Sequence, residues 1–222
     1  MNREVLAKII DYALVKPNHT KSDIIRACED VLRLKIGTLC VLPPFVSLVA
    51  KKLSGSDARV CAAVAFPFGA NPTEIKVKEV QHVIKEGANE IDFVANIPLI
   101  KSGEYQLVRR DIEEVVYSAK ENGDVIVKVI IETGYLTPDE IILISRMADE
   151  AGVDYVKTCT GFGPRGATLD DIRLIKRAIK RAKIKAAGGI STYEKAMAFI
   201  KAGASRIGTS HALEILEGES SS

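Results

Sequence analysis

The sequence has no tryptophan, three methionines and three histidines. Glutamine occurs only at Gln81 and Gln106, while Ile, Lys and Glu are abundant, a composition that leans thermophilic. The histidines, His19, His82 and His211, are scattered, and His82 falls inside a helical pattern. A catalytic metal centre built from clustered His and acidic ligands is therefore not expected, and no cofactor is called for. The four cysteines, Cys28, Cys40, Cys61 and Cys159, are widely spaced and form no C-x-x-C pattern. Three sit in apolar surroundings, so they read as buried free thiols in a reducing cytoplasm. No apolar stretch reaches membrane-spanning length, and Met1-Asn2-Arg3-Glu4 lacks the charged-then-apolar start of a signal peptide. The formal net charge is +2, with no basic run and no tail of one sign, which gives nucleic acid or a membrane surface no handle. A cytoplasmic location is the expectation.

What is present is one ordinary globular chain. The 222 residues are 47% apolar and 27% charged, enough for one sizeable core and short for two average domains. Strand-like and helix-like segments alternate throughout. The strand-like runs are Ile9 to Val15, Ile36 to Leu42, Val60 to Ala65, Glu90 to Ala95, Val125 to Ile131, Val153 to Lys157, Ile184 to Ala187 and Arg206 to Gly208. Between them lie helical patterns from Thr20 to Leu34, from about Phe45 to Leu53, from Pro72 to Gly87, and from Glu104 to Asn122. Three further helices open at Thr137, Thr168 and the capping pattern Ser191-Thr192-Tyr193-Glu194, and the last runs from Ser210 to Leu216. Glu217 to Ser222 reads as a polar, disordered tail. Eight short, even strand–helix units predict a single-domain (β/α)₈ barrel. The rival is an open doubly wound sheet, which the lack of a G-x-G-x-x-G in the first unit disfavours.

In such a barrel the site lies at the C-terminal strand ends. The polar residues interrupting apolar strands there are Asp92, Lys128, Lys157 and Lys185, from strands 4, 5, 6 and 7 in succession. A charge facing the apolar helix layer would be costly, so alternation predicts that all four point inward and cluster. Glu90 and Lys183, two residues earlier on the same faces, read as structural. A single lysine at a strand end is usually a snorkelling surface residue, but three beside an aspartate ask for a chemical reason. Schiff-base formation is one. Its nucleophile must be a neutral amine, and an unperturbed lysine has a pKa of about 10.4. A dry pocket and neighbouring cations both favour the neutral form. Lys157 is then the nucleophile, flanked by Lys185 and Lys128, with Asp92 to move protons. Glycine turns follow strands 6, 7 and 8: Gly161-Phe162-Gly163, Gly188-Gly189-Ile190-Ser191 and Gly208-Thr209-Ser210. Backbone N–H groups at the last two suit a phosphate. These features predict an amine-bearing barrel acting on a phosphorylated carbonyl compound.

From about Ile10 to Leu213 the chain also resembles the deoxyribose-phosphate aldolase family. The resemblance is carried by Ile10-Asp11-Tyr12-Ala13-Leu14-Val15-Lys16-Pro17, Leu39-Cys40-Val41-Leu42-Pro43, Ala65-Phe66-Pro67-Phe68-Gly69 and Gly87-Ala88-Asn89-Glu90-Ile91-Asp92. It continues through Val127-Lys128-Val129-Ile130-Ile131-Glu132-Thr133, Val156 to Phe162, Lys185 to Ile190, and Arg206-Ile207-Gly208-Thr209-Ser210. It implies a metal-free class I aldolase, cleaving 2-deoxy-D-ribose 5-phosphate reversibly to D-glyceraldehyde 3-phosphate and acetaldehyde. It implies Lys157 as the Schiff-base lysine, Lys185 as the second lysine that assists it, Asp92 as acid/base and Lys128 as a further site lysine. It implies Gly161, Gly188, Gly189, Gly208 and Ser210 as the phosphate-binding turns, and a homodimer or homotetramer. The chain departs from the family at three places. Cys159 stands where serine is usual and is expected to face the barrel. Phe162 stands where some members carry lysine. No tyrosine follows Tyr193, whereas some members end in one.

Overall fold

A computed structural model of the chain describes residues 1–121 and 123–218. Eight strands run parallel in sequence order: β1 (Ile10–Leu14), β2 (Thr38–Val41), β3 (Arg59–Val64), β4 (Glu90–Val94), β5 (Ile126–Ile130), β6 (Tyr155–Lys157), β7 (Lys183–Ala187) and β8 (Arg206–Thr209). β8 pairs with β1, so the sheet closes into a barrel and the open-sheet rival falls. Alternation along each strand sends Leu39, Val41, Val60, Ala62, Ile91, Phe93, Val127, Val129, Val156, Ile184 and Ile207 into a buried layer beneath the helices.

The helices are α1 (Arg3–Lys8), α2 (Lys21–Leu34), α3 (Val46–Lys52), α4 (Thr73–Lys85), α5 (Ile97–Lys101), α6 (Tyr105–Lys120), α7 (Pro138–Ala151), α8 (Leu169–Ala178), α9 (Tyr193–Ala202) and α10 (Ala212–Gly218). Their starts follow the capping chemistry. Thr20, Thr137 and Thr168 each close a capping box with an acidic residue three positions on. At α9 the cap is Thr192, whose hydroxyl accepts from the Lys195 amide, so the start lies one residue beyond the Ser191–Glu194 pattern. Two short helices have no long apolar period and were not expected from the sequence. α1 lies against the barrel's N-terminal end, where a Cβ on Gly37 would fall 2.1 Å from the Lys8 carbonyl oxygen. α5 follows β4, with Asn96 as its cap. α10 carries the chain through Glu217 and Gly218, the first two residues expected to be disordered, because Ile215 and Leu216 are buried beside them. The rest of that expected tail, 219–222, and Asn122 lie outside the described residues.

Among the described residues, one ion pair between helices is wholly buried in the largely apolar helix layer. Lys76 on α4 reaches Asp111 on α6 at 2.6 Å, both with no exposed surface. Lys76 also donates to the Val94 carbonyl at 3.0 Å, and Asp111 accepts from Thr73 at 2.9 Å. Burial pushes the lysine below its ordinary pKa and the aspartate above its own, and each partner opposes the shift of the other. Removing one partner strands a buried charge, which costs about 3–5 kcal/mol, whereas replacing both with apolar groups is often neutral. Lys76→Ala is therefore expected to lower the thermal midpoint by on the order of 10 °C. The double variant Lys76→Met/Asp111→Leu should recover most of that loss. Equal midpoints for Lys76→Ala and the parent chain would remove this pair from the stability account.

Candidate active site

The four residues singled out in strands 4 to 7 do converge. Asp92 lies beside Lys128 in the β4–β5 register, and Lys157 beside Lys185 in the β6–β7 register. Asp92 Oδ2 accepts from Lys157 at 2.7 Å and from Lys185 at 2.6 Å, while Oδ1 accepts from Lys128 at 2.9 Å. All four are buried; of these Lys157 alone retains as much as 5% exposure, because it points into a cavity.

Beneath them lie three charged residues that close the network. Asp11 on β1 pairs with Lys185 and, at 2.6 Å, with Arg206. Glu90 on β4 pairs with Lys128 at 2.6 Å and with Arg206 at 2.9 Å. Arg206 also donates to Thr38 at 2.6 Å and stacks on the Tyr155 ring 5.4 Å from its centre. Glu90 is thus structural, as expected. Lys183, exposed at the lower rim with its amine 6.0 Å from the same ring centre, is structural too. Asp11 and Arg206 escaped the sequence reading. The rule that found the others, a charge interrupting a buried strand, applies to both, but each sits at the lower half of its strand, away from the expected site.

The charge balance follows from the geometry. Lys128, Lys185 and Arg206 each reach at least two of the carboxylates of Asp11, Glu90 and Asp92, whereas Lys157 reaches only Asp92. Four cations thus face three carboxylates, and Lys157 is the one with the fewest partners. Burial alone would push Lys185 and Lys128 down, but the surrounding carboxylates prevail and hold both above the ordinary lysine value. Burial alone would raise Asp92, but Lys128, Lys157 and Lys185 hold it well below the usual carboxylate range. Asp11 is opposed by burial in the same way and is lowered to about 2, chiefly by Lys185.

Above Lys157 a cavity of about 450 Å³ opens at the C-terminal ends of the strands. All five residues of the expected phosphate turns line it: Gly161, Gly188, Gly189, Gly208 and Ser210. Gly188 and Gly189 have φ of 102° and 75°, a left-handed backbone that side chains rarely adopt. They lead through Ile190 and Ser191, which also line the cavity, into the start of α9. Gly208 has a different constraint. A Cβ there would meet Lys185 Cε and Ala187 Cβ, each at 2.9 Å, so the bare Cα makes room for the Lys185 stem. Lys16 and His211, not expected at the site, also line the cavity, and Lys16 brings a cation to it.

Of the departures from the family pattern, Phe162 stands in the cavity wall, its ring edge-on to Phe66 at 5.5 Å. Cys159 does not border the cavity. It lies under the loops, 3.3 Å from Thr133 Oγ1, and its thiol is pushed up to about 11 by burial. The four cysteines are free and buried as expected, yet Cys40 and Cys61 are not in apolar surroundings. Their sequence neighbours are apolar but point to the other face of the strand; the two thiols face Asp92. Glu132, in the left-handed region at φ 51°, receives the Thr160 amide at 2.9 Å and so ties the β5 loop to the segment after Lys157.

Fold and site together define an enzyme-like barrel with a buried ionic cluster ending in one lysine at the floor of a cavity. Residues 5–218 match the family described as DeoC/LacD family aldolase. A deoxyribose-phosphate aldolase of Thermococcus gammatolerans is 49% identical over 216 residues, covering 96% of each chain. One from Caldanaerobacter subterraneus subsp. tengcongensis is 47% identical over 213 residues, covering 96% of this chain and 92% of the relative. Among solved structures, the tetrameric deoxyribose phosphate aldolase of Aeropyrum pernix superposes with a TM-score of 0.92 at 29% identity, covering 99% of this chain and 93% of that one. The chain belongs to the DeoC/LacD family of aldolases, and it is a carbon–carbon lyase.

Two consequences of the geometry can be measured. Gly208→Ala should push the Lys185 stem away from Asp92 and lower kcat by about tenfold or more in a chain that still folds, since small misplacements near the reacting group are costly. A change confined to KM would instead assign Gly208 to binding alone. The second concerns pH. Asp11 and Asp92 have depressed values, so their contribution to stability is complete above an unfolded value of about 3.9 and fades as pH falls through the folded values. Lys128 and Lys185 have raised values, so theirs is complete below about 10.4 and fades as pH rises through the folded values. The cluster's share of the thermal midpoint should be level from about pH 5 to pH 9. Asp11→Asn should lower that plateau and soften the acid limb, and a sloping plateau in the parent chain would contradict the ion pairing.

Proposed function

We propose that this single barrel domain is a class I aldolase that cleaves 2-deoxy-D-ribose 5-phosphate to D-glyceraldehyde 3-phosphate and acetaldehyde, reversibly, through an imine on Lys157. The observation that carries the reading is the position of Lys157: alone among the clustered cations it reaches one carboxylate only and borders the cavity. In the synthetic direction its neutral amine attacks the acetaldehyde carbonyl, and loss of water gives the imine. Removal of a methyl proton forms the enamine, whose carbon attacks the aldehyde of glyceraldehyde 3-phosphate. Water then hydrolyses the imine and frees the amine. Asp92, hydrogen-bonded to both Lys157 and Lys185, is the group placed to move these protons, and Lys185 and Lys128 keep it anionic between steps.

The phosphate sits, in this reading, against the backbone of Gly161, Gly188, Gly189, Gly208 and Ser210, near the start of α9. Lys16 supplies the cationic contact that Phe162 cannot. The working form is a cytoplasmic homo-oligomer, in keeping with the tetrameric Aeropyrum pernix relative; no described helix is long and apolar enough to cross a membrane.

Borohydride reduction in the presence of acetaldehyde should fix a two-carbon adduct on Lys157 and nowhere else, read by peptide mass mapping. An adduct on Lys185 or Lys128, or none, overturns the assignment. Lys16→Met should raise KM for the phosphorylated substrate by about tenfold, a loss on the scale of one charged hydrogen bond, and leave kcat within about twofold. An unchanged KM would remove Lys16 from the phosphate site.

A further inference from the structure

Two thiols face the same carboxylate on which the lysine cluster turns. Cys40 on β2 and Cys61 on β3 are direct register partners, and Asp92 follows on the next strand. One ligand atom from each lies within 4.8 Å of the other two. Cys61 Sγ is 3.2 Å from Asp92 Oδ1, and Cys40 Sγ is 3.9 Å from Asp92 Oδ2. Bonds of about 2.3 Å to sulfur and about 2.0–2.2 Å to oxygen, arranged tetrahedrally, put sulfur and oxygen roughly 3.5 Å apart. The Cys61 separation is shorter than that edge and the Cys40 separation longer, and the two run to different oxygens of Asp92, so a turn of the carboxylate brings one oxygen to both sulfurs. We propose that Cys40, Cys61 and Asp92 form a site for one thiophilic divalent cation of the zinc class, and that the occupied site is an inhibited state of the enzyme.

The chemistry of the donors and their access both support this. Paired thiolates select soft or borderline ions over magnesium and calcium. Cys61 is wholly buried, but Cys40 and Lys157 border the cavity, so an ion can enter from there and keep a water in its fourth position facing the cavity. The surrounding ammonium groups do not forbid it. Each thiol releases its proton to solvent as its sulfur binds, so two thiolates and a dication add no net charge to the cluster. Lys128, 3.5 Å from Cys61 Sγ, is placed to stabilise the resulting thiolate. The consequence for the reaction is direct. An oxygen of Asp92 that binds the metal must loosen its bonds to the ammonium groups of Lys157, Lys185 or Lys128, and the proton relay is lost.

Metal binding is tested on the resting protein, independently of its substrate; only the inhibition rests on the function proposed above. The chain, stripped with EDTA, is titrated with Co²⁺ as a spectroscopic probe. One equivalent should give a thiolate-to-cobalt charge-transfer absorption, which Zn²⁺ then abolishes by displacement. Cys40→Ser and Cys61→Ser should each lose the absorption while keeping the parent circular dichroism. Should either variant misfold, alkylation of the parent chain decides: zinc should protect Cys40 and leave the rate at Cys159 unchanged. Zinc should also lower the rate of glyceraldehyde 3-phosphate release, and EDTA should restore it. Absence of the absorption, its survival in both folded variants, or unprotected Cys40 would overturn the site. Charge transfer with full aldolase rate retained would overturn the inhibited state, and absence of any aldolase rate without metal would instead count against the function.

Discussion

Asp92 is the constraint on which the interior of the barrel depends. One carboxylate accepts from three ammonium groups on three strands, β5, β6 and β7. None of these lysines could be buried alone, since an unpaired charge in a closed barrel would cost several kcal/mol. Asp92 has too few oxygens to hold all three well, and the shortage is met from below by Asp11 and Glu90. Arg206 then ties those two carboxylates to each other. The result is a cluster that is saturated at its base and least saturated at Lys157, where the cavity begins.

That gradient matters more than any single contact. Four buried cations face three buried carboxylates, and the contacts are shared unequally among them. Lys128 and Lys185 are each held by two or more carboxylates, and those carboxylates hold both above the ordinary lysine value. Lys157 has one partner, shared with both Lys185 and Lys128. The three chemically identical side chains thus differ in how many carboxylates each reaches, and of the three Lys157 alone borders the cavity. Gly208 shows how tightly this is packed, since even a methyl group would displace the Lys185 stem.

Much of this was legible in the sequence because the barrel is built from a period of two. Lysines and an aspartate interrupting apolar runs had to face the interior, and the closed sheet places them there. The glycine turns were equally plain, and they border the cavity as expected. What escaped was of two kinds. Asp11 and Arg206 obey the same alternation, but they lie at the base of the barrel, and a search confined to the upper strand ends passes over them. Cys40 and Cys61 were misjudged because their neighbours in the chain are apolar, whereas their neighbours in space come from the adjacent strands. Gly208 shows the limit of motif reading. Its place in a turn suggests a backbone donor, and only the contact with Lys185 reveals its steric part.

The loops above the barrel impose a second ordering on the same residues. Lys157 ends β6, and the chain then passes through Thr158, Cys159 and Thr160 before reaching the cavity wall at Gly161 and Phe162. This segment is pinned on both sides. Thr158 donates to the Ala187 carbonyl at 2.8 Å, which ties it to β7, and Glu132 holds Thr160 from the β5 side. The same Glu132 carboxylate packs against Gly163, where an added Cβ would meet Oε1 at 2.7 Å, so only glycine fits beside it. Glu132 itself sits in a strained left-handed conformation that only such surrounding contacts can maintain. The lysine below and the glycine turn above are therefore parts of one braced segment. The fold thereby fixes how far the Lys157 amine lies from the glycine turns at the cavity wall.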